Sequence, residues 1–132
     1  MFTIDKQLQK DTVAVADLEL CLVQFMNNRY FPWVIMVPKR EKMLEISDLS
    51  VEDQHKLIEE ISFVSSRMKT HFKADKMNVA ALGNITKQLH IHVVARFKTD
   101  TTWPYTVWGT HAAKYPADQL KQHLANLKTL FS

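Results

Sequence analysis

Two histidines that lie two residues apart, His90 and His92, have the side chains best suited to chemistry in this sequence. Apolar residues occupy every second position over Leu89–Phe97, and this period of two predicts a β-strand. Side chains two and four positions apart on a strand lie on one face. One face is therefore predicted to carry the polar side chains of Gln88, His90, His92 and Arg96. An amide, two imidazoles and a guanidinium on one face favour a site for an anion.

The two imidazoles are well matched to phosphoryl transfer. Neutral imidazole is a nucleophile near neutral pH, and imidazolium donates two hydrogen bonds to phosphate oxygens. One ring can attack phosphorus while the other, with Gln88 and Arg96, stabilises charge on the phosphate oxygens. Attack by nitrogen gives a covalent phospho-imidazole and divides the reaction into two steps.

Two other interpretations of this spacing stay open. A pair of histidines on a strand is often structural or simply exposed. It can also hold zinc together with a third histidine or a carboxylate from elsewhere in the chain. The strand itself contains no carboxylate, and the sequence has no His-Glu-x-x-His motif.

Composition is that of one globular domain over residues 1–132. The formal net charge of +3 is small and the lysines and arginines are scattered, so no specific nucleic-acid binding is predicted. A single cysteine, Cys21, excludes an internal disulfide and suits a reducing cytosol. The N-terminus lacks a signal-peptide pattern, and no apolar run approaches the ~20 residues of a membrane helix. We therefore expect a cytoplasmic protein without membrane association.

Strands and helices are predicted to alternate in blocks, which favours an α+β fold with helices packed on a mostly antiparallel sheet. A helix after Ser50 carries an apolar stripe from Leu57 to Phe72, and a second helix follows Pro116. The remaining predicted elements are a short helix at 3–10, strands at 13–15, 18–26, 33–37, 76–82 and 88–97, and an aromatic loop at 99–115.

The segment Gln88-x-His90-x-His92 resembles the motif of the histidine triad (HIT) family, His-φ-His-φ-His-φ-φ, with glutamine in the first position. Arg96 fixes the register, because family members often run from the third histidine through two apolar residues and a small residue to arginine. The apolar strand that ends in Pro38-Lys39 and the downstream pair Trp103-Pro104 are also similar to the family. The resemblance covers about residues 12–110 of the chain.

The resemblance implies a five-stranded antiparallel sheet with two main helices, a two-fold homodimer, and a nucleotide substrate that reacts at its α-phosphate. His90 would be the nucleophile, with its Nδ1–H bonded to a backbone carbonyl and Nε2 free to attack. His92 would orient phosphate oxygens. Asn27 lies roughly where relatives place an aspartate that holds the ribose hydroxyls.

Departures from the motif concern the leaving group. Gln88 can donate a hydrogen bond but cannot supply a proton. The glycine-rich segment that usually precedes the triad is shortened to residues 83–87, where Asn84, Thr86 or Lys87 could supply donors instead. Glu41 stands where many members carry a histidine after Pro-Lys. These losses put leaving-group assistance in doubt but leave the nucleophile.

The sequence thus predicts a HIT-type hydrolase or transferase. Its expected substrate is a dinucleoside polyphosphate, a nucleoside phosphoramidate or a similar nucleotidyl compound. No cofactor is required on this interpretation, no metal site is assigned, and a divalent cation is possible. The alternatives are a nucleotide-binding module with weakened catalysis and, less favoured, a strand-based zinc enzyme. Trp103 and Trp108 are predicted either to cover the ligand or, as the preferred reading, to pack on a dimer surface.

Overall fold

Five antiparallel strands form one sheet in the computed structural model, which describes residues 1–132. The strands are β1 (Thr12–Asp17), β2 (Cys21–Met26), β3 (Trp33–Pro38), β4 (Lys76–Ala80) and β5 (Ile91–Arg96). Their order across the sheet is β1-β2-β3-β5-β4, and every neighbouring pair is antiparallel. The predicted α+β architecture is confirmed.

Strand β5, which carries His92 and directly follows His90, lies inside the sheet between β3 and β4. Ile35 of β3 and Ala80 of β4 both pair with His92. All six residues of β3 and all six of β5 are buried, because both faces of these strands are covered. Strand β2 pairs with β3, and β4 pairs with β5.

Three α-helices accompany the sheet: α1 (Lys6–Asp11), α2 (Val51–Phe72) and α3 (Ala117–Leu130). A short 3-10 helix, Ile46–Asp48, precedes α2. Ser50 caps α2 by accepting a hydrogen bond from the Asp53 amide at 3.1 Å, as its hydroxyl and position predict. Asp5 caps α1 in the same manner through the Gln7 amide, at 2.8 Å. α3 begins directly after Pro116.

Each face of the sheet supports its own apolar cluster. The helix-side cluster packs residues such as Val23, Val34 and Val93 against the stripe of α2 and the C-terminal part of α3. The site-side cluster packs residues of β3 and β5 against α1 and the aromatic loop. It contains Leu8, Phe31, Trp33, Ile35, Val37, Val94 and Val107, with Phe2, Ile4, Met26 and Trp108 against it.

Strand β5 begins three residues later than predicted, at Ile91 rather than at Gln88. The ladder with β3 starts at the pair Met36–Ile91, and β3 ends two residues beyond Met36 at Pro38. Residues 88–90 therefore extend past the ladder, and the Leu89 amide bonds the Met43 carbonyl instead, at 2.9 Å. The alternation of side chains nevertheless continues, since Leu89 and Ile91 lie in the helix-side cluster.

A buried carboxylate joins α2 to the start of β2. Glu60 is 6% exposed, and its two oxygens accept hydrogen bonds from the amides of Leu20 and Cys21, each at 2.8 Å. Burial, with the charge of Glu60, raises the pKa of the Cys21 thiol well above its ordinary value. Cys21 is thus a buried thiol of the core. None of the helices is both long and apolar enough to span a bilayer.

Candidate functional site

His90 and His92 lie together on the site side of the sheet. Their ring centroids are 4.8 Å apart and the ring planes are inclined at 68°. His90 is 6% exposed and His92 is 7% exposed. A nucleophile that attacks a bound phosphate is expected to be open to solvent before the substrate binds, but other segments of the same chain cover most of the His90 ring. The predicted juxtaposition of the two rings is confirmed.

The proton of His90 is placed by a backbone carbonyl. Its Nδ1 atom lies 2.7 Å from the carbonyl oxygen of Gln88. A carbonyl oxygen can only accept, so Nδ1 carries the hydrogen and donates it. In the neutral ring the lone pair then lies on Nε2. This is the hydrogen bond that the family resemblance implies.

His92 has the opposite tautomer. The indole Nε1–H of Trp33 donates to Nδ1 of His92 at 3.0 Å, so this nitrogen is unprotonated and the hydrogen lies on Nε2. Burial, assisted by the nearby His90, lowers the pKa of His92 to about 4. His92 is therefore a neutral donor near neutral pH, and not an imidazolium.

The side chain of Gln88 is hydrogen-bonded to the N-terminal segment. Its Oε1 accepts from the Asp5 amide at 2.8 Å, and its Nε2 donates to the Thr3 carbonyl at 2.9 Å. Gln88, the first residue of the motif, thus bonds Thr3 and Asp5 to the segment that leads into His90 and His92. Nothing in the sequence pattern alone indicated this contact, since 83 residues separate Asp5 from Gln88.

Arg96 has a different role from the one predicted. It is 1% exposed, and its guanidinium donates to Asp100 at 2.8 and 3.1 Å, to Asn78 at 2.9 Å and to Thr102 at 3.2 Å. Its centre also lies 5.7 Å from the ring of Trp103. Because protein groups enclose the guanidinium almost completely, it presents no exposed surface to a phosphate. Arg96 anchors the aromatic loop to the sheet and is not a substrate contact in this structure.

The remaining predicted residues fall in two places. Asn27 directly follows β2 and lines a cavity. Its Oδ1 accepts a hydrogen bond from the Tyr115 amide at 2.9 Å. Asn84 is exposed and Thr86 is half-buried on the connection between β4 and β5, which turns at Gly83 with φ of +74°. The roles of Asn84 and Thr86 stay predictions.

A cavity of about 500 Å³ lies against two indoles that contact His92, and neither His90 nor His92 is among its lining residues. Two indoles, Trp33 and Trp108, form part of its wall, and Trp108 lies 5.4 Å from the His92 ring. The rest of the lining comes from the end of α1, the start of β1, the end of β2 and the loop after Val107. These residues are Lys10, Asp11, Thr12, Val13, Met26, Asn27, Asn28, Val107, Gly109, Thr110, Ala112, Ala113 and Lys114.

Sequence reasoning found only part of this cavity. Asn27 was identified by its position before the Pro-Lys strand, and Trp108 by its place in the aromatic loop. Lys10 and Lys114 were missed, because they are single lysines in different parts of the chain. Trp33 is the first residue of the predicted strand at 33–37, and its position there predicted no role in a site. Its indole lines the cavity and also donates a hydrogen bond to His92.

Trp108 packs inside the site and does not project outward. Its ring is perpendicular to those of His92 and Trp33, at 80° and 82°. Its Nε1–H is buried and has no hydrogen-bond partner. Trp108 therefore faces the His92 imidazole within one protomer, and its packing on a dimer surface stays a prediction. Trp103 instead lies beside Arg96.

The zinc alternative needs a third ligand beside the two imidazoles. The structure brings together no group of three or more His, Cys, Asp or Glu side chains that could hold a metal ion. His55 and His71 lie on α2, on the far side of the sheet from the pair.

Comparison with known proteins decides the family. The family model described as the HIT domain matches residues 7–99, which is most of the chain and includes both histidines. The chain belongs to the HIT family. The resemblance drawn from the sequence is thereby confirmed.

Solved structures of HIT proteins superpose on the whole chain. A histidine triad protein from Marinobacter aquaeolei VT8 is 40% identical with a TM-score of 0.96, over 99% of this chain and 96% of that one. A histidine triad protein from Bradyrhizobium japonicum is 36% identical with a TM-score of 0.95, over 99% of this chain and 98% of that one. These similarities confirm the HIT fold.

A more distant sequence relative has a stated activity. The bis(5'-adenosyl)-triphosphatase of Saccharomyces cerevisiae is 30% identical to this HIT protein over 70 residues. That match covers 49% of this chain and 34% of the yeast protein, so it spans about a third of the relative's length.

Proposed function

We propose that this HIT protein is a nucleotide hydrolase or transferase that acts at the α-phosphate of a nucleotidyl substrate. His90 is the nucleophile and forms a covalent nucleotidyl-histidine intermediate. The observation that carries this proposal is the pair of opposite tautomers, in which Gln88 holds a hydrogen on Nδ1 of His90 and Trp33 excludes one from Nδ1 of His92. The two Nε2 atoms therefore differ in role, one a lone-pair donor to phosphorus and the other an N–H donor.

The reaction follows from these two atoms. Nε2 of His90 attacks the α-phosphorus and a P–N bond to the ring forms. The bond from phosphorus to the leaving group, P–O in a polyphosphate or P–N in a phosphoramidate, breaks with its electron pair on the leaving group. The Nε2–H of His92 stabilises the charge that develops on a phosphate oxygen. The positive charge on the substituted His90 ring is stabilised by the Gln88 carbonyl through Nδ1–H. Water then attacks phosphorus, the P–N bond breaks, and a nucleoside monophosphate leaves.

We propose that the nucleoside binds in the cavity lined by Trp33 and Trp108. Its volume of about 500 Å³ lies within the usual range for small-molecule sites. Trp33 and Trp108 offer aromatic faces against a base, and Asn27 lies on the wall where a ribose can be bound. Lys10 and Lys114 outnumber the one acidic lining residue, Asp11, so the cavity carries a small positive charge, which favours an anionic ligand.

The proposed substrates are dinucleoside polyphosphates, nucleoside phosphoramidates and similar compounds. The name of the yeast relative supports the first class. We propose further that no cofactor is needed and that a divalent cation, where present, binds the substrate phosphates. Unchanged turnover with a chelator present would support this, and turnover that is lost and restored by one metal would contradict it.

A homodimer in the cytosol is also proposed. Strand β4 is an edge of the sheet with one exposed apolar side chain, Val79 at 45%, and such an edge is suited to pairing with a second copy. Sedimentation equilibrium tests this, with a dimer as the expected state. A monomer at micromolar concentration would contradict it.

The central experiment compares wild type with His90→Ala on a panel of adenylated and guanylated compounds. We expect the substitution to abolish turnover with little change in circular dichroism, since it removes the nucleophile. The control is His55→Ala, because His55 is exposed on α2. Quenched reactions of wild type are expected to yield a His90 peptide heavier by one nucleotidyl group.

The outcomes separate the proposal from its alternatives. Activity that survives in His90→Ala would overturn the proposal. Tight binding of a mononucleotide with no turnover of any compound in the panel would favour the nucleotide-binding module. Stoichiometric zinc in gently purified protein, required for turnover, would favour the zinc enzyme.

A further inference from the structure

Gln88 hydrogen-bonds to His90 through its main chain and to the N-terminal segment through its side chain. Its carbonyl oxygen accepts from Nδ1 of His90 at 2.7 Å. Its side-chain amide bonds both the Asp5 amide and the Thr3 carbonyl, at 2.8 and 2.9 Å. The residue in the first motif position therefore touches the proposed nucleophile with its main chain and the N-terminal segment with its side chain.

The N-terminal segment is well placed to keep Gln88 still. Phe2 and Ile4 pack against the site-side cluster, which also contains Trp33, the hydrogen-bond partner of His92. Asp5 ends the segment as the cap of α1. Two hydrogen bonds to backbone groups, one as acceptor and one as donor, hold the Gln88 side chain in a single orientation.

These two bonds limit how far the Gln88 side chain can turn toward a leaving group. One of the two N–H groups on Nε2 of Gln88 donates to the Thr3 carbonyl, and its Oε1 accepts from the Asp5 amide. A side chain that reached toward a leaving group would have to give up both bonds.

We propose that Gln88 is a positioning residue, which fixes the orientation and tautomer of His90 by anchoring residues 88–90 to the N-terminal segment. This rests on the proposed function only where turnover is the readout. The substitution of glutamine for histidine in the motif is on this view a change of role, from a group near the reacting phosphate to a clamp on residues 3–5.

The first test uses Gln88→Met, which keeps the length of the side chain and removes both hydrogen bonds. Gln54→Met is the matched control, because the Gln54 side chain donates one hydrogen bond to the Leu49 carbonyl at 2.9 Å on the far side of the sheet. Amide hydrogen exchange at Asp5 and the ¹⁵N resonances of the His90 ring are measured for both variants. We expect Asp5 exchange to accelerate at least about tenfold and the His90 nitrogens to move toward mixed tautomers in Gln88→Met only.

A second pair of variants removes the clamp from its other end. Asp5→Pro deletes the amide that donates to Gln88, and the φ of −55° at Asp5 is already that of proline. Asp5→Ala keeps the amide and loses only the helix cap. The His90 resonances are expected to change in Asp5→Pro and to stay as in wild type in Asp5→Ala.

Turnover separates a clamp from a leaving-group donor. The substrates are the p-nitrophenyl and phenyl esters of AMP, which differ in the basicity of the leaving group. A positioning role predicts that Gln88→Met lowers kcat about 10- to 100-fold for both esters alike, with KM changed less. A donor role predicts a larger loss for the phenyl ester, and that result would overturn the proposal.

The spectroscopic measurements decide the proposal even if wild type turns over neither ester. His90 resonances that are the same in wild type, Gln88→Met and Asp5→Pro would overturn it, whatever happens to Asp5 exchange. A shared change in Gln88→Met and Asp5→Pro, absent from Gln54→Met and Asp5→Ala, would support it.

Discussion

The indole of Trp33 donates a hydrogen bond of 3.0 Å to Nδ1 of His92, across two neighbouring strands of the sheet. The bond makes His92 a donor through Nε2 and not through Nδ1. It also joins the wall of the cavity to the imidazole pair, because the same indole lines the cavity.

Replacement of Trp33 by phenylalanine should therefore damage His92 specifically. The variant leaves a buried Nδ1 without a donor, which costs about 1–3 kcal/mol of stability. We expect the ¹⁵N spectrum of His92 to change from one tautomer to a mixture.

Trp108→Phe is the matched control for this prediction. The Nε1–H of Trp108 is buried and has no partner, so its removal breaks no hydrogen bond. Urea unfolding should find Trp33→Phe the less stable of the two variants. Equal losses of stability, with a single His92 tautomer in both, would contradict the assigned bond.

The folded protein should lose stability on mild acidification, because His92 is buried in its neutral form. Its pKa is about 4 in the folded protein against an ordinary value near 6.5, so between these values the unfolded chain binds a proton that the folded chain does not. The free energy of unfolding then rises with pH, and it decreases as the pH falls from about 6.5 toward 4. At the low end of this window His92 accounts for a loss of roughly 3 kcal/mol.

Urea unfolding at a series of pH values checks this prediction. His92→Asn is the comparison variant, since its side-chain oxygen can accept from Trp33 but does not titrate. The wild type should lose more stability than this variant between pH 6.5 and 4. Parallel curves for the two proteins would be inconsistent with a depressed His92 pKa.

The buried pair Arg96–Asp100 should be among the most sensitive sites in the fold. The side chains are 1% and 4% exposed. Burial alone would raise the pKa of Asp100, but hydrogen bonds from Arg96, Phe97 and Thr102 and the Arg96 charge together lower it. Arg96→Met leaves a buried carboxylate without its partner, which should cost about 3–5 kcal/mol.

Arg40→Met provides the control, since Arg40 pairs with Asp53 at 2.7 Å while its own side chain is 45% exposed. Exposed pairs contribute about 0–1 kcal/mol. Thermal or urea unfolding of both variants measures the difference. A loss of less than about 1 kcal/mol in Arg96→Met would show that the pair does not anchor the aromatic loop.

Glu60→Gln should loosen the contact between α2 and β2. The carboxylate accepts from the amides of both Leu20 and Cys21, and a carboxamide can accept only one of these bonds while its NH₂ faces the other amide. We expect a loss of about 1–3 kcal/mol in urea unfolding. Glu59→Gln, on the exposed side of the same helix, should change stability by less than about 0.5 kcal/mol. Equal effects at the two positions would refute the assigned role of Glu60.

The sequence by itself determined the architecture. A period of two placed β5, and spacings of three and four residues placed both main helices, because burial of one face demands those spacings. Runs of apolar and β-branched residues placed strands such as β2 and β3. The same alternation predicted that His90 and His92 would lie together, and their ring centroids are 4.8 Å apart. Local chemistry also fixed the caps, since the hydroxyl of Ser50 and the carboxylate of Asp5 bond amides within the first turn.

Only the tertiary structure decided what each polar group does. A pattern records which side chains share a face, but a hydrogen bond also requires a partner, and the partners here come from distant parts of the chain. Gln88 meets residues 3–5, Arg96 meets Asn78 and Asp100, and His92 meets Trp33. The exposure of His90 likewise depends on which segments cover it. Long-range contacts of this kind set the tautomers and the charge of the site, and strand periodicity carries no information about them.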